Sequence, residues 1–255
     1  MQPRSFCPWN ISSYYVTCTM VSILLFILVS LHVTDAKFIY AANLPSTVNF
    51  TSPLVNEGEI DEYLLSRLVL FRGIGVSSPC YLSGFICVDQ CSGYVFAVVI
   101  AYYHETAGIR NRRVVWSANQ DNPIDEGAKL QLESGGNLEL RNSKDVLVWS
   151  SKTTRNASVA SLNLTESGNL VLLDDNKSII WQSFDHPTDT LLMGQKLSPG
   201  QMLASSVPGS NSYHLSVNTS GVSAYIDWNI PLVYFKHLFT QEDEVTYVEL
   251  MNGSI

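Results

Sequence analysis

The chain has 255 residues, enough for one or two domains. Hydrophobic residues make up 46% of it and charged residues 15%, the balance of a folded core and not of a disordered tail. With 15 basic against 23 acidic residues the formal net charge is −8, which argues against a general binder of phosphate backbones and so against nucleic acid as a partner.

The N-terminus reads as an export signal. Arg4 supplies a weak positive flank, Val21–Leu31 is a short apolar core, and Thr34 and Ala36 place small residues three and one before a cut ahead of Lys37. A signal peptide over 1–36 is therefore expected, with a secreted, extracellular product. The alternative is an uncleaved membrane anchor extending back to Val16, although Thr17, Thr19, Ser22 and Ser30 interrupt it. Cys7 and Cys18 leave with the signal. Cys80, Cys87 and Cys91 remain as disulfide candidates, and an odd count leaves one over unless it pairs between chains. No histidine lies within that cluster, so a metal site is not expected there. Asn49, Asn156, Asn163, Asn176, Asn218 and Asn252 head N-glycosylation triplets, and Asn10 heads another inside the signal.

Residues 37–79 are expected to form an N-terminal strand with an irregular extension. Within it Leu64, Leu65, Leu68 and Phe71 have helix-like spacing, yet Leu68–Phe71 also suits the start of a strand. Tyr94–Ile100 is an aromatic and β-branched run and reads as a buried strand. His104–Arg113 reads as a polar connection. From Val114 to Phe184 short alternating stretches are separated by turn clusters rich in Gly, Asn, Asp and Ser, which indicates all-β structure.

Within that region one unit occurs twice. Residues 130–151 and 162–183 register without a gap at an offset of 32, matching Leu130 to Leu162, Asn137 to Asn169, Leu140 to Leu172, Trp149 to Trp181 and Ser151 to Ser183. Trp116, in VVWSAN, marks an earlier and more degenerate copy. One such unit has too little apolar area to stand alone, so the copies must pack together. Trp116, Trp149 and Trp181 are the expected core fillers where they meet. Residues 184–200 close the repeat region. Alternation resumes from Ser212 and predicts the start of a second β unit over 201–255. An in-frame continuation past Ile255 into a membrane span and a kinase would make the chain a receptor fragment, whereas a stop there would make it a secreted protein.

Asp185, His186 and Asp189 put two acids and a histidine within five residues. A turn closed by Asp and Thr side chains around Pro187 accounts for that cluster more simply than an acid–base or metal site. No phosphate loop, nucleophile elbow, metalloprotease helix or kinase signature is present, so no enzyme and no cofactor are expected.

The stretches VVWSANQDNP, ESGGNLEL with ESGNLVL, and WQSFDHPTDTLLMGQKL resemble the bulb-type (mannose-binding-like) lectin domain of plant G-type lectin S-receptor-like kinases and S-locus glycoproteins, over roughly residues 80–200. The resemblance implies a β-prism of three small sheets around a pseudo-threefold axis, with tryptophans at its centre and an incomplete second β domain after it. It also implies sugar sites of the form QxDxNxVxY. These map to Thr165, Ser167, Asn169, Val171 and Leu173 in one copy, and to Glu133, Gly135, Asn137, Glu139 and Arg141 in the other. The carbohydrate-binding residues carried over are Asn137, Asn169 and Val171. The two asparagines also follow glycine in a turn, where backbone chemistry alone favours them. The resulting expectation is a non-catalytic carbohydrate-binding module whose partner is a glycan or glycoprotein. The alternative is a protein-interaction scaffold, or part of a receptor-kinase ectodomain with a membrane receptor kinase as partner.

Overall fold

Apart from one 3-10 turn at Ser183–Asp185, every regular element among the described residues is a β-strand. The computed structural model describes residues 39–40, 47–49, 65–73, 79–88, 92–104, 108–133, 135–153, 159–205, 212–239 and 246–251. The chain divides into two units, Met1–Ala36 and Lys37–Ile255. The signal segment, Cys91, Asn156 and Asn252 lie outside the described residues.

In chain order the strands begin with β1 (Ile39–Tyr40), β2 (Thr47–Asn49), β3 (Leu65–Gly73), β4 (Pro79–Val88), β5 (Gly93–His104) and β6 (Gly108–Ser117). They continue with β7 (Lys129–Leu132), β8 (Leu138–Arg141), β9 (Leu147–Ser150), β10 (Val159–Leu164), β11 (Leu170–Asp174) and β12 (Ile179–Gln182). The last are β13 (Lys196–Leu197), β14 (Met202–Ala204), β15 (Tyr213–Asn218), β16 (Gly221–Ile226), β17 (Leu232–Leu238) and β18 (Val248–Glu249). Three antiparallel sheets, β1-β3-β4-β5-β6, β2-β7-β8-β9 and β10-β11-β12, surround one core.

Two sequence ambiguities resolve through tertiary pairing. The helix-like spacing before Phe71 becomes β3, which pairs with β4 through Leu70↔Ser83 and Phe71↔Leu82. A waiting partner strand outweighs a short periodic pattern. Arg110 to Arg113, expected as connection, lie in β6 opposite β5.

The three sheets share one construction at the axis. Trp116 faces Val98, Trp149 faces Leu140, and Trp181 faces Leu172, and in each sheet the ladder shifts register just beyond that pair. A bulge at this place turns the strand and brings the indoles together. Ring centroids are 5.9 Å apart for Trp116–Trp149, 5.7 Å for Trp116–Trp181 and 5.7 Å for Trp149–Trp181, with interplanar angles of 76°, 68° and 75°. Edge-to-face indole pairs contribute about 0.5–1.5 kcal/mol each beyond the area they bury. Around the triangle Phe96, Val98, Leu138, Leu140, Leu170 and Leu172 are fully buried, two from each sheet. The chain therefore has the bulb-type β-prism architecture.

The turns repeat as closely as the ladders. Glu133 N–H donates to the Asn137 carbonyl, and Thr165 N–H to that of Asn169. Gly136 (φ 87°) and Gly168 (φ 83°) occupy the left-handed position of these turns. In the next pair of hairpins the Asn142 side-chain oxygen accepts from Lys144 and Val146 N–H, while that of Asp174 accepts from Asn176 and Ser178 N–H.

β5 departs from simple alternation because it is buried on both faces. Phe96 and Val98 enter the axial core, while Val95, Ala97 and Val99 enter a second cluster with Cys80, Leu82 and Ile86. After the prism, β14-β15-β16-β17 form a four-stranded sheet and β13 pairs with β18. This smaller β unit has its own core of Leu197, Val217, Val222 and Val248. Bonds from Ala204 N–H to the Thr188 carbonyl (2.8 Å) and from Gln201 to the Asp185 carbonyl (2.9 Å) join it to the prism.

Candidate functional site

The sheet-face residues come first. Asn169 is buried, and both ends of its amide are used internally. Its Nδ2 donates to Gln182 Oε1 (2.8 Å), and its Oδ1 accepts from Ser183 Oγ (3.1 Å) and Phe184 N–H (3.2 Å). Ser183 Oγ in turn accepts from Leu170 N–H (3.0 Å), so the group closes the mouth of the β11–β12 ladder. Asn137 repeats the motif more loosely: its Oδ1 accepts from Thr153 Oγ1 (3.0 Å) and Ser151 Oγ (3.5 Å), and Ser151 Oγ accepts from Leu138 N–H. In the first sheet Asn119 does the corresponding work, accepting from Phe96 N–H at 2.8 Å.

Val171 is 2% exposed. Opposite strands place Val171 against Gln182, Glu139 against Ser150 and Ala97 against Ser117, so these three positions are equivalent. On the first sheet the matching residues Val95 and Ala97 are apolar and buried in the second cluster. Glu139 is committed to Arg141 at 2.7 Å, and their ion pair pulls the guanidinium pKa further up. A sugar on these faces would compete with bonds already made.

A second arrangement lies at the end of the prism axis. A pocket of about 530 Å³ opens over the tryptophan triangle, lined by Trp116, Trp149 and Trp181 together with Ser117, Lys152 and His186, among others. Leu147, Val148, Ser150, Ser151 and Thr188 complete its wall. His186 stacks on Trp181 at 5.4 Å and 16°, and its carbonyl accepts the Trp116 indole N–H at 3.0 Å. Among the described residues the indole N–H groups of Trp149 and Trp181 find no acceptor, and neither nitrogen is sealed from solvent. Lys152, at φ 53°, is exposed and has no acidic partner among the described residues.

Sequence reasoning assigned the tryptophans to the core and missed that their outer edges floor a pocket. The available signal was the polar residue directly after each one, Ser117, Ser150 and Gln182. The Asp185–Asp189 cluster is taken up by turn bonds: Asp185 Oδ1 accepts from Gln182, and Asp189 Oδ1 from Thr190. Among the described residues no three His, Cys, Asp or Glu side chains gather as a metal site.

The cysteines separate by environment. Cys87 is disulfide-bonded, whereas Cys80 is a free thiol, 1% exposed, whose pKa burial pushes up to about 11. Of the glycosylation triplets, Asn176 and Asn218 lie in exposed hairpin ends and Asn163 is half-buried in β10. Asn49 lies in β2, opposite Lys129.

Three sheets wrapped around an indole triangle define a lectin-type β-prism, and comparison with known proteins agrees. Residues 113–206 match the family model of the D-mannose binding lectin domain, so the chain carries a bulb-type lectin domain. It is 32% identical over 188 residues to a G-type lectin S-receptor-like serine/threonine-protein kinase of Arabidopsis thaliana, covering 73% of this chain and 19% of the relative. It is 34% identical over 188 residues to the epidermis-specific secreted glycoprotein EP1 of Daucus carota, covering 69% and 46%. EP1-like glycoprotein 2 of Arabidopsis thaliana is 32% identical over 192 residues, covering 71% and 41%. The chain thus spans a fifth of the receptor kinase and less than half of each glycoprotein.

Proposed function

We propose that this chain is an extracellular recognition module that binds carbohydrate and performs no chemistry on it. The observation that carries this reading is the axial pocket. Its volume of about 530 Å³ suits a sugar residue or two, and its lining combines indole surface with polar groups. A pyranose has the same two-sided character: apolar C–H faces and a polar rim. No catalytic signature in the sequence competes with a binding role. A glycan array probed with the purified chain tests this; binding to at least one glycan class is expected, and silence across the array refutes it.

A second reading is a protein-interaction scaffold, which a different surface favours. Every residue of β17 is exposed, including Leu232, Val233, Tyr234 and Phe235, and Trp228 and Ile230 are 66% and 81% exposed beside them. Exposed apolar patches of this kind mark interaction sites. Since a relative is a receptor-like kinase, a membrane receptor kinase is the partner this reading names. Capture of such a kinase by the chain, lost on replacing Tyr234 and Phe235 with serine, would favour the scaffold.

A further inference from the structure

We propose that the axial pocket selects an acidic sugar, a uronic acid residue of a polysaccharide or glycoprotein glycan, over a neutral one. This rests on the carbohydrate reading above and assigns it a site and a charge. Among the described residues, the lining around the tryptophan triangle combines an ammonium and indole N–H donors with no carboxylate.

The hydroxyls of the pocket are partly engaged, each keeping some hydrogen-bonding capacity. Ser117 Oγ donates to Gln120, Thr188 Oγ1 lies 3.5 Å from the Val115 carbonyl, and Ser150 Oγ accepts from Lys152 N–H. Ser151 Oγ accepts from Leu138 N–H and faces Asn137 Oδ1. Among the described residues, the indole N–H groups of Trp149 and Trp181 and the Lys152 ammonium have no protein acceptor. Among the described residues no aspartate or glutamate lines the pocket, although the chain carries 23 of them and a net charge of −8. The local sign is therefore opposite to the global one.

A neutral hexose presents several hydroxyl protons and needs acceptors to receive them, commonly carboxylates or side-chain amides. Neither a carboxylate nor a side-chain amide is among the described lining residues. A carboxylate brings acceptor oxygens only, and it matches two indole donors and an ammonium. Charge-assisted bonds of this kind are the strong ones. The outer indole edges supply apolar contact for the C–H face of the ring, so both halves of a uronate have a counterpart.

The test uses the full chain and three soluble probes: an oligogalacturonide, its fully methyl-esterified form and a neutral mannose oligosaccharide. Binding is read by calorimetry and by tryptophan fluorescence. The acid is expected to bind saturably, to perturb the fluorescence and to weaken as salt is raised. The ester, which keeps the ring and loses the charge, is expected to bind about tenfold more weakly. Lys152→Gln, an exposed change, is expected to cost the acid about tenfold while leaving thermal unfolding in place, and Trp149→Phe, which keeps a ring and removes a donor, to weaken it severalfold. Equal binding of ester and acid overturns the acidic preference. Acid binding indifferent to both variants overturns the pocket. Binding of the neutral probe alone, without a fluorescence change, overturns the inference but leaves the carbohydrate reading standing. Failure of every probe here and of every glycan on the array overturns both.

Discussion

Arg72 on β3 ties the first sheet to the third through Asn163 on β10. Its Nε donates to the Leu164 carbonyl at 2.8 Å and a terminal nitrogen to Asn163 Oδ1 at 3.0 Å, a link between residues 91 apart in sequence. The prism closes by packing at its axis, and bonds at the seams fix how the sheets meet. Replacing Arg72 with alanine leaves the Leu164 carbonyl and the Asn163 amide short of a donor at a half-buried seam. Urea unfolding is expected to show a loss of about 1–3 kcal/mol, and Arg72→Lys a smaller loss, since lysine cannot fork to both acceptors.

Gly168 is required twice over. Its φ of 83° disfavours any side chain, and a Cβ there would stand 2.4 Å from the Tyr81 ring and 2.9 Å from Leu192. Gly168→Ala is expected to destabilise the chain by about 2–4 kcal/mol, summing left-handed strain and overpacking. Gly135, in the matching turn of the second sheet, has no atom within 4 Å of such a Cβ. Gly135→Ala should leave the melting temperature within a degree or two, on the order of other exposed substitutions. Equal effects at the two sites would refute this account of the turn.

The repeat made the second and third sheets legible because each residue that recurs at the 32-residue offset performs one folding task twice. Leucines line the core, Gly136 and Gly168 make the turn, and Trp149 and Trp181 meet at the axis. The first sheet was harder to read. It replaces the repeated serine with Asn119 and the repeated leucines with Phe96 and Val98, keeping the task and changing the residue. Its outer face is apolar because a second cluster covers Val95 and Ala97, and that burial erases alternation. The pocket was illegible for another reason. A tryptophan recurring once per unit signals a core, and nothing in the spacing says that one edge of the core stays open.

Asn169 and Asn137 look alike in sequence and differ in load. Asn169 makes one donated and two accepted side-chain bonds while buried; Asn137 accepts two at a half-buried site. Asn169→Ala is expected to cost about 2–4 kcal/mol through stranded buried partners, and Asn137→Ala about 1 kcal/mol. Binding lost in Asn169→Ala is therefore informative only when thermal unfolding shows the variant still folded under the assay conditions.

Glycan occupancy should track the hairpin ends. Asn176 is exposed in a turn and Asn218 at the exposed end of β15, while Asn163 sits in a ladder opposite Val171 with its Oδ1 held by Arg72. Glycopeptide mass spectrometry of secreted chain is expected to find Asn176 and Asn218 more fully occupied than Asn163. Arg72→Ala should raise occupancy at Asn163, and an unchanged ratio would show that the seam has no influence on modification.

Cys80 gives the fold a dependence on alkaline pH. Burial between β3 and β5 raises the thiol from 9.0 to about 11. Between those values the unfolded chain has released the proton that the folded chain still holds, so unfolding is favoured as pH rises. The stabilisation is complete below about pH 9 and is lost progressively towards pH 11, amounting to about 2–3 kcal/mol for a shift of this size. Tyrosines and lysines titrate in the same range, so the contribution is isolated by comparison with Cys80→Ala. The stability difference between parent and variant, measured by urea unfolding, should shift by that amount in favour of the variant between pH 8 and pH 11. The same burial predicts that Cys80 reacts with a thiol reagent at neutral pH only after denaturant is added. Prompt labelling of the native chain at Cys80 would show that this seam opens far more readily than its packing implies.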